Sequence, residues 1–579
     1  MTMITATRAR LDLWWIPLSA LVLAFSTPLL GQTYEQVAPK AVRPGLPAVT
    51  AQPAPAAPIP VADPNQILVP RLTGLRLVPD QSQISKEAVP AGQPLGIDGL
   101  PWLDQKRAEA AITDYIGRPL TRKDLSELVR KLVLVCRKSN RPVVDIFAPP
   151  QDISTGVVQL IVMVGKLGAL HVEGNQWFKS TIFTRDIRVQ PGQEITGEQI
   201  LEDMDFINQN PFRQVDLVYA RGADFGLTDV ILRVRDQMPD RVYVGYDDTG
   251  NETTGLGRVF AGFNMGNLFG DDQQLSYQYT RSTDFNRLQA HSASYALPLP
   301  WRNTLEIFGD WADARTEAES GLFELNGVNW QVGVRYTIPL PMIGPTFTEA
   351  ISFGADYKWS NNDLDFGGTQ VFTSPINVAQ GVLSYSWALV DSRGSTQGSV
   401  TGFYGPGGVG GLNHDSNFAV QRAGAPAQYG YVQVNVTRVE RLPDSYTLVL
   451  TTLSQWASAR LVPSNEFGLG GALSVRGYDE RIVNGDDGVS GQLELRTPPR
   501  HLLDQIPDST QALIFLDAGR AWQHNLLPGE TDNTLSSVGP GLRMTIGSHG
   551  TIKADYGWQL ERLPGTRHGR IHLSAVISY

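Results

Sequence analysis

From about Arg241 to Tyr579 the chain is a train of short segments in which apolar and polar residues alternate. In the last of them Ile571, Leu573, Ala575, Ile577 and Tyr579 fall on one side, and His572, Ser574 and Ser578 on the other, with Val576 the single breach. Period-two alternation is the signature of strands that separate two environments. A soluble sheet buries its apolar face, whereas many such strands in succession can close into a barrel whose apolar face meets lipid and whose polar face lines a lumen.

Sixteen strand candidates fit between residues 241 and 579, roughly 21 residues for each strand with its connection, and a membrane-crossing strand needs only about 9–11. An even number closes an antiparallel barrel with both ends on one side. Ile552, Ala554, Tyr556 and Trp558 point outward while Lys553 and Asp555 point inward. Leu275, Tyr277 and Tyr279 likewise oppose Ser276, Gln278 and Thr280. A charge facing lipid at mid-membrane costs about 2–4 kcal/mol, so Lys553 and Asp555 require a wet interior. A propeller or stacked sandwich is the soluble alternative, but no repeated blade signature is present.

The other end of the chain agrees with a membrane destination. Arg8 and Arg10 precede an apolar run from Leu13 to Phe25 and small residues follow it, the layout of an export signal over residues 1–31. The run is short for a membrane span. Residues 32–66 form a Pro/Ala-rich linker with prolines at 39, 44, 47, 53, 55, 58, 60 and 64, an extended spacer without a core. The formal charge of −10 carries no basic surplus, which argues against nucleic acid as a partner. The single cysteine, Cys136, excludes intramolecular disulfides and multi-thiolate metal centres, and its apolar helical setting predicts a buried, inert thiol.

Between linker and barrel one order of elements occurs twice. In residues 67–166 a strand around Leu68–Leu77 precedes a short helix from Asp104 and a longer one with Leu125, Leu128, Leu132 and Cys136 at helical spacing. Thr121 and Asp124 cap the longer helix, and two strands close the unit. In residues 167–239 the order returns, with Thr196 and Gln199 as the expected cap pair. Two small α/β modules in tandem therefore precede a membrane β-barrel at residues 240–579.

One connection is unlike a hairpin turn. Residues 459–486 carry Gly468, Gly470 and Gly471, then Val475-Arg476-Gly477-Tyr478. Further on, Phe515, Asp517 and Gly519 share one face of a strand. If that face is the lumen, Asp517 is a carboxylate awaiting a cation, and Arg476 on an inward-folded loop could supply it by bidentate contact.

On these residues the chain resembles the POTRA-plus-barrel outer-membrane superfamily. Val475–Tyr478 is similar to its loop motif and Phe515-x-Asp517-x-Gly519 to the partner motif on a later strand. Two modules and sixteen strands resemble the two-partner secretion transporter (TpsB) branch, which includes the haemolysin and filamentous-haemagglutinin transporters. The resemblance implies that Arg476 and Asp517 lock the loop to the wall, that the modules recruit an unfolded exoprotein in the periplasm, and that the barrel passes it outward. It also implies insertion by the barrel-assembly machinery, contact with outer-membrane lipid, action as a monomer, and a terminal aromatic, here Tyr579 where phenylalanine is more usual, serving as an assembly signal. Only about Gln32 to Lys40 precede the prolines, little chain for the N-terminal plug helix of some members.

No enzymatic role and no cofactor are expected. No phosphate-binding Gly-x-x-x-x-Gly-Lys-Ser/Thr occurs, so export would proceed without ATP, and the resemblance implies that exoprotein folding outside supplies its direction. Gly405-x-Gly407-x-x-Gly410 lacks the helix of a dinucleotide site, His568 and His572 lie on a strand rather than at metal spacing on a helix, and Asn361, Asp363 and Asp365 lack the twelfth-position glutamate of a calcium loop. Two alternatives remain: a factor that inserts other barrels, against which two modules argue, and a passive porin, against which the long loop argues.

Overall fold

The computed structural model describes residues 37–41 and 63–579, apart from residues 88, 91, 252, 318–322, 345, 367–368, 504–505 and 565. The export signal and most of the proline-rich stretch lie outside the described residues.

The first module comprises β1 (Ile67–Val69), β2 (Gly74–Val78), β3 (Leu95–Ile97), α1 (Gln105–Ile112), β4 (Leu120–Thr121), α2 (Arg122–Lys138), β5 (Val144–Phe147) and β6 (Val157–Val164). Its sheet has the order β3-β2-β6-β5, and β1 pairs with β4. The helices bury Ala108, Ile112, Leu128, Leu132 and Cys136 against Leu75, Leu77, Leu160 and Val162 of the sheet. Thr121 and Asp124 make the expected reciprocal cap: Asp124 N–H donates to Thr121 Oγ1 and Thr121 N–H to Asp124 Oδ2, both at 3.1 Å. Cys136 is buried, and burial pushes its thiol up to about 12, which keeps it protonated and inert.

The second module is built of β7 (Lys166–Glu173), α3 (Ser180–Arg185), α4 (Gly197–Ile207), β8 (Arg213–Arg221) and β9 (Leu227–Asp236), with sheet order β7-β9-β8. Ile182, Phe183, Ile200 and Met204 pack on Val215 and Leu232. Here the expected cap is not made. Thr196 occupies the N-cap position of α4 with no side-chain hydrogen bond. Asn140, at the end of α2 in the first module and held at φ +66°, takes its place. Asn140 Oδ1 accepts from Glu198 N–H at 2.7 Å, its carbonyl accepts from Gly197 N–H at 3.1 Å, and its amide donates to Glu198 Oε2 at 2.9 Å. A helix N-terminus needs acceptors, and the neighbouring module provides them.

The barrel begins with β10 (Asp240–Asp247), β11 (Arg258–Leu268), β12 (Gln273–Ser282), β13 (Leu288–Pro298), β14 (Thr304–Glu317) and β15 (Phe323–Pro339). It continues through β16 (Phe347–Phe366), β17 (Thr369–Thr373), β18 (Ile376–Val390), β19 (Gly394–Pro406), β20 (Gln428–Arg441) and β21 (Thr447–Ala457). After the ribbon β22 (Phe467–Leu469) and β23 (Val483–Gly485), it ends with β24 (Asp487–Arg496), β25 (Asp508–Trp522), β26 (Asn533–Ile546), β27 (Gly550–Gln559) and β28 (Gly569–Ser578). Sixteen antiparallel strands close the cylinder, because β17 is only a hairpin return on the outer end of β16 and the ribbon belongs to the loop. That hairpin carries β16 past residue 360, so Asn361, Asp363 and Asp365 stand on a strand. Closure joins β10 to β28, from Tyr243↔Ser578 to Asp247↔Ser574, with Val242 and Tyr579 exchanging two backbone bonds of 2.9 Å.

Alternation sets the two faces. Val242, Val244, Leu383, Ile514, Leu516, Ile571 and Ile577 lie exposed on the outside, while Gln278, Thr280, Ser292, Gln455, Asp517 and His572 are buried inside. No described helix is long and apolar enough to cross a membrane, and the strands cross instead. Val37–Ala41, part of the stretch read as spacer, lie within the barrel: the Val37 carbonyl accepts from Gln278 (3.1 Å) and Ser292 (2.6 Å), and Lys40 reaches Asp247 at 3.2 Å. A polar lumen satisfies backbone that a lipid face could not.

The second module is fastened to the barrel. Arg213, its side chain 1% exposed, forms a bidentate pair with Asp272 beyond β11 and stacks on Phe178 and Phe183. Asn210 donates to Asp272 at 2.7 Å and to the Gly266 carbonyl at 2.6 Å. Arg302, in the turn between β13 and β14, pairs with the fully buried Asp203 of α4 and lies over Phe206.

Candidate functional site: a loop pinned inside the barrel

The connection from β21 to β24 folds into the lumen rather than out of it. Phe467, Leu469, Val475, Tyr478 and Val483 bury themselves with Ala521 and Leu535 of the wall, a small apolar core inside a polar cylinder. At its tip, Arg476 is 1% exposed and Asp517 of β25 fully buried. Arg476 donates to Asp517 three times: backbone N–H at 3.0 Å, Nε at 2.7 Å and a terminal nitrogen at 2.8 Å. The guanidinium also lies 3.6 Å over the Phe515 ring, and its other terminal nitrogen donates to Glu494 of β24 at 2.6 Å. A planar, permanently charged fork suits this combination of bidentate, lateral and stacking contacts, which an ammonium could not make together.

The cluster extends along the wall. Arg543 of β26 donates to Glu494 at 2.8 Å and to Asp555 of β27 at 2.7 Å, and Arg496 donates to the far oxygen of Glu494 at 2.8 Å. Asp555 also lies 3.5 Å from Arg476. Three carboxylates (Glu494, Asp517, Asp555) thus meet three guanidiniums (Arg476, buried, and Arg496 and Arg543, half-buried), and the cluster carries no net formal charge. Neutrality and multiple hydrogen bonds make the burial of so many charges tolerable.

The structure brings every singled-out loop and wall residue to this place. Gly519 is glycine of necessity, since a Cβ there would stand 2.4 Å from Leu469 Cδ1 and 2.9 Å from the Val489 carbonyl. The Tyr478 hydroxyl reaches the carbonyls of Ser536, at 2.9 Å, and Glu561. Val475 is fully buried beneath it. Tyr579 stands elsewhere, its side chain 89% exposed at the end of the closing strand. Sequence reasoning missed Glu494, Arg496 and Arg543. Their inward parity was readable, but which inward residues meet depends on strand register. Among the described residues no group of three or more His, Cys, Asp or Glu side chains could hold a metal ion.

A closed sixteen-stranded barrel, two α/β modules at one mouth and a pinned lumen loop define a POTRA-bearing outer-membrane barrel. The chain belongs to the family of haemolysin secretion/activation proteins ShlB/FhaC/HecB, which matches residues 226–544, and residues 95–165 match the ShlB-type POTRA domain. It is similar to the heme/hemopexin transporter protein HuxB of Haemophilus influenzae, 21% identical over 75% of this chain and 77% of that one. The outer membrane transporter CdiB of Escherichia coli is 24% identical over 69% and 67%. Among solved structures, CdiB from Escherichia coli superposes with a TM-score of 0.70 at 18% identity, covering 94% of each chain. CdiB from Acinetobacter baumannii gives 0.62 at 17% identity over 97% of each. The protein is an outer-membrane transporter of this family, with its POTRA modules in the periplasm.

Proposed function

We propose that this protein secretes a specific partner exoprotein, recruited unfolded by the two periplasmic modules and passed through the barrel without ATP. The observation that carries the reading is the lumen loop: the conduit is occupied by a segment whose tip is pinned to the wall, with Arg476 paired to Asp517. A passive porin has no use for such an obstruction. The modules' sheets have edges at β3, β5, β7 and β8; Leu167 of β7 and Val215 of β8 are already engaged by Gly192, Gln193 and Asn208, and along the rest an extended chain could add as a strand through backbone hydrogen bonds. The buried pair between Arg476 and Asp517 serves as the lock on the loop. With no phosphate-binding loop in the sequence, exoprotein folding outside supplies the direction.

Arg476→Ala and Asp517→Ala test it. Breaking a buried pair by removing one partner costs about 3–5 kcal/mol, enough to lose the locked register, and surface exoprotein should fall at least about tenfold while the barrel still inserts. Immunodetection of surface exoprotein, beside heat-modifiable mobility of the barrel on gels, separates the two effects. Full export by both variants would sink the reading.

A further inference from the structure

The loop tip is held at a second point that involves no ion pair. Gly477 N–H donates to His572 Nε2 of β28 at 2.9 Å, and the Gly477 carbonyl accepts from Gln559 Nε2 of β27 at 2.7 Å. Both peptide groups flanking one α-carbon are therefore engaged by side chains of two adjacent wall strands. The Gly477 carbonyl can only accept, which turns the Gln559 amide nitrogen toward it, and Thr566 Oγ1, its proton shared with the Leu563 carbonyl at 2.8 Å, lies 3.0 Å from the amide oxygen on the other side. His572 is 3% exposed and Gln559 is 9% exposed, so neither contact competes freely with water.

The backbones are shaped for this approach. Gly477 stands at φ +91°, and a Cβ on it would lie 2.7 Å from the Gly557 carbonyl oxygen. A Cβ on Gly557 would lie 2.5 Å from Gly477 N. Here the ladder between β26 and β27 also skips: Val538↔Trp558 is followed by Gly541↔Asp555, leaving out Gly539 and Pro540 on one strand and Tyr556 and Gly557 on the other. Proline has no N–H to give a neighbouring strand, and the wall is interrupted where the loop tip touches it.

We infer that His572 and Gln559 are positioning residues forming a second clamp, which grips the Gly477 backbone on the last two strands independently of the Arg476 ion pairs. The clamp adds to the ion pair a hold of a different kind: freeing Arg476 from Asp517 leaves the tip still held by β27 and β28, where Arg570 also pairs with Asp479. Its significance for export rests on the secretion reading above, but the clamp itself acts on the channel alone.

The test is single-channel recording of the purified full-length protein in planar bilayers, with no exoprotein present. His572→Leu removes the acceptor and leaves a buried donor unmatched, while His572→Gln returns an acceptor oxygen at similar reach. Gln559→Glu keeps the shape but turns an oxygen toward the Gly477 carbonyl. Open probability should rise about fivefold or more in His572→Leu and Gln559→Glu, as expected when a buried polar group loses its partner, and stay near wild type in His572→Gln. Combining His572→Leu with Arg476→Ala should open the channel more than either alone. Wild-type gating in folded Gln559→Glu, or opening in His572→Gln equal to that in His572→Leu, would overturn the clamp; should His572→Leu fail to fold, Gln559→Glu against His572→Gln decides. Opening of the channel together with unaltered exoprotein export in cells would leave the clamp standing and count against the secretion reading.

Discussion

Two junctions connect the three parts of the molecule, and they are made of different materials. Between the second module and the barrel, Arg213 is buried and Arg302 half-buried, both paired with buried carboxylates, Asp272 and Asp203, and stacked on Phe178, Phe183 and Phe206. Between the two modules, Asn140 caps α4 and donates to the exposed Glu198, while the half-buried Arg141 lies 3.5 Å from Glu194, a carboxylate 47% open to solvent. Phe147 adds an edge contact to Phe225, which is itself 69% exposed. A buried ion pair contributes little net stability but tolerates one geometry only, whereas exposed pairs are worth little and permit several. The barrel-side joint, whose acids are buried, is thus the fixed mount, and the module–module joint, made of the Asn140 cap, one half-open ion pair and one edge contact, the looser pivot.

The largest effect should come from Arg213→Ala, which strands Asp272 in a buried site at a cost of about 3–5 kcal/mol. Hydrogen exchange of the full chain in detergent would then show α4 and β8 losing protection while the barrel keeps its own. If both stay protected, the mount is not set by this pair. Asp186 gives an intermediate effect. Burial pushes its carboxyl up to about 6, against the pull of Arg185 at 3.5 Å. A folded value above the unfolded one means that the unfolded chain releases its proton first. Stability of the second module is therefore greatest below about pH 4, falls as pH rises to about 6, and is level above, by at most about 3 kcal/mol. Asp186→Asn should remove that slope from denaturant midpoints measured between pH 4 and 7. The smallest effect belongs to the pivot: Asn140→Ala costs about 1 kcal/mol of helix capping. It should widen the distribution of inter-module distances in spin-label measurements and leave thermal unfolding of the barrel unchanged. A narrow distribution in that variant would show that something other than the cap sets the angle.

Legibility in the sequence followed the range of the interaction. The barrel strands were readable because alternation is local and lipid punishes every breach, as Ile571 to Tyr579 show. The cap of α2 was readable because Thr121 and Asp124 are three residues apart. The cap of α4 was misread for the same reason: Thr196 and Gln199 have the right spacing, but Asn140, 58 residues from Glu198, takes the site. Arg476 and Asp517 could be paired from their motifs, whereas Glu494 meets Arg476, and Arg543 meets Glu494, only through the register of β24 to β27. His572 was legible as an inward strand residue and nothing more, since its partner is a backbone N–H that carries no sequence signal. Prolines marked the linker as coreless, yet Val37–Ala41 find their partners in the lumen wall, which composition cannot reveal.

The neutrality of the cluster around Arg476 has a thermodynamic corollary. Withdrawing the loop divides a balanced set into a wall holding three acids and two bases and a tip holding one base. Each fragment would then recruit small counter-ions from the surrounding water, so opening the conduit by the loop withdrawal proposed above would consume dissolved salt. The balance between shut and open should consequently lean toward open as ionic strength rises, making the electrolyte a participant in gating.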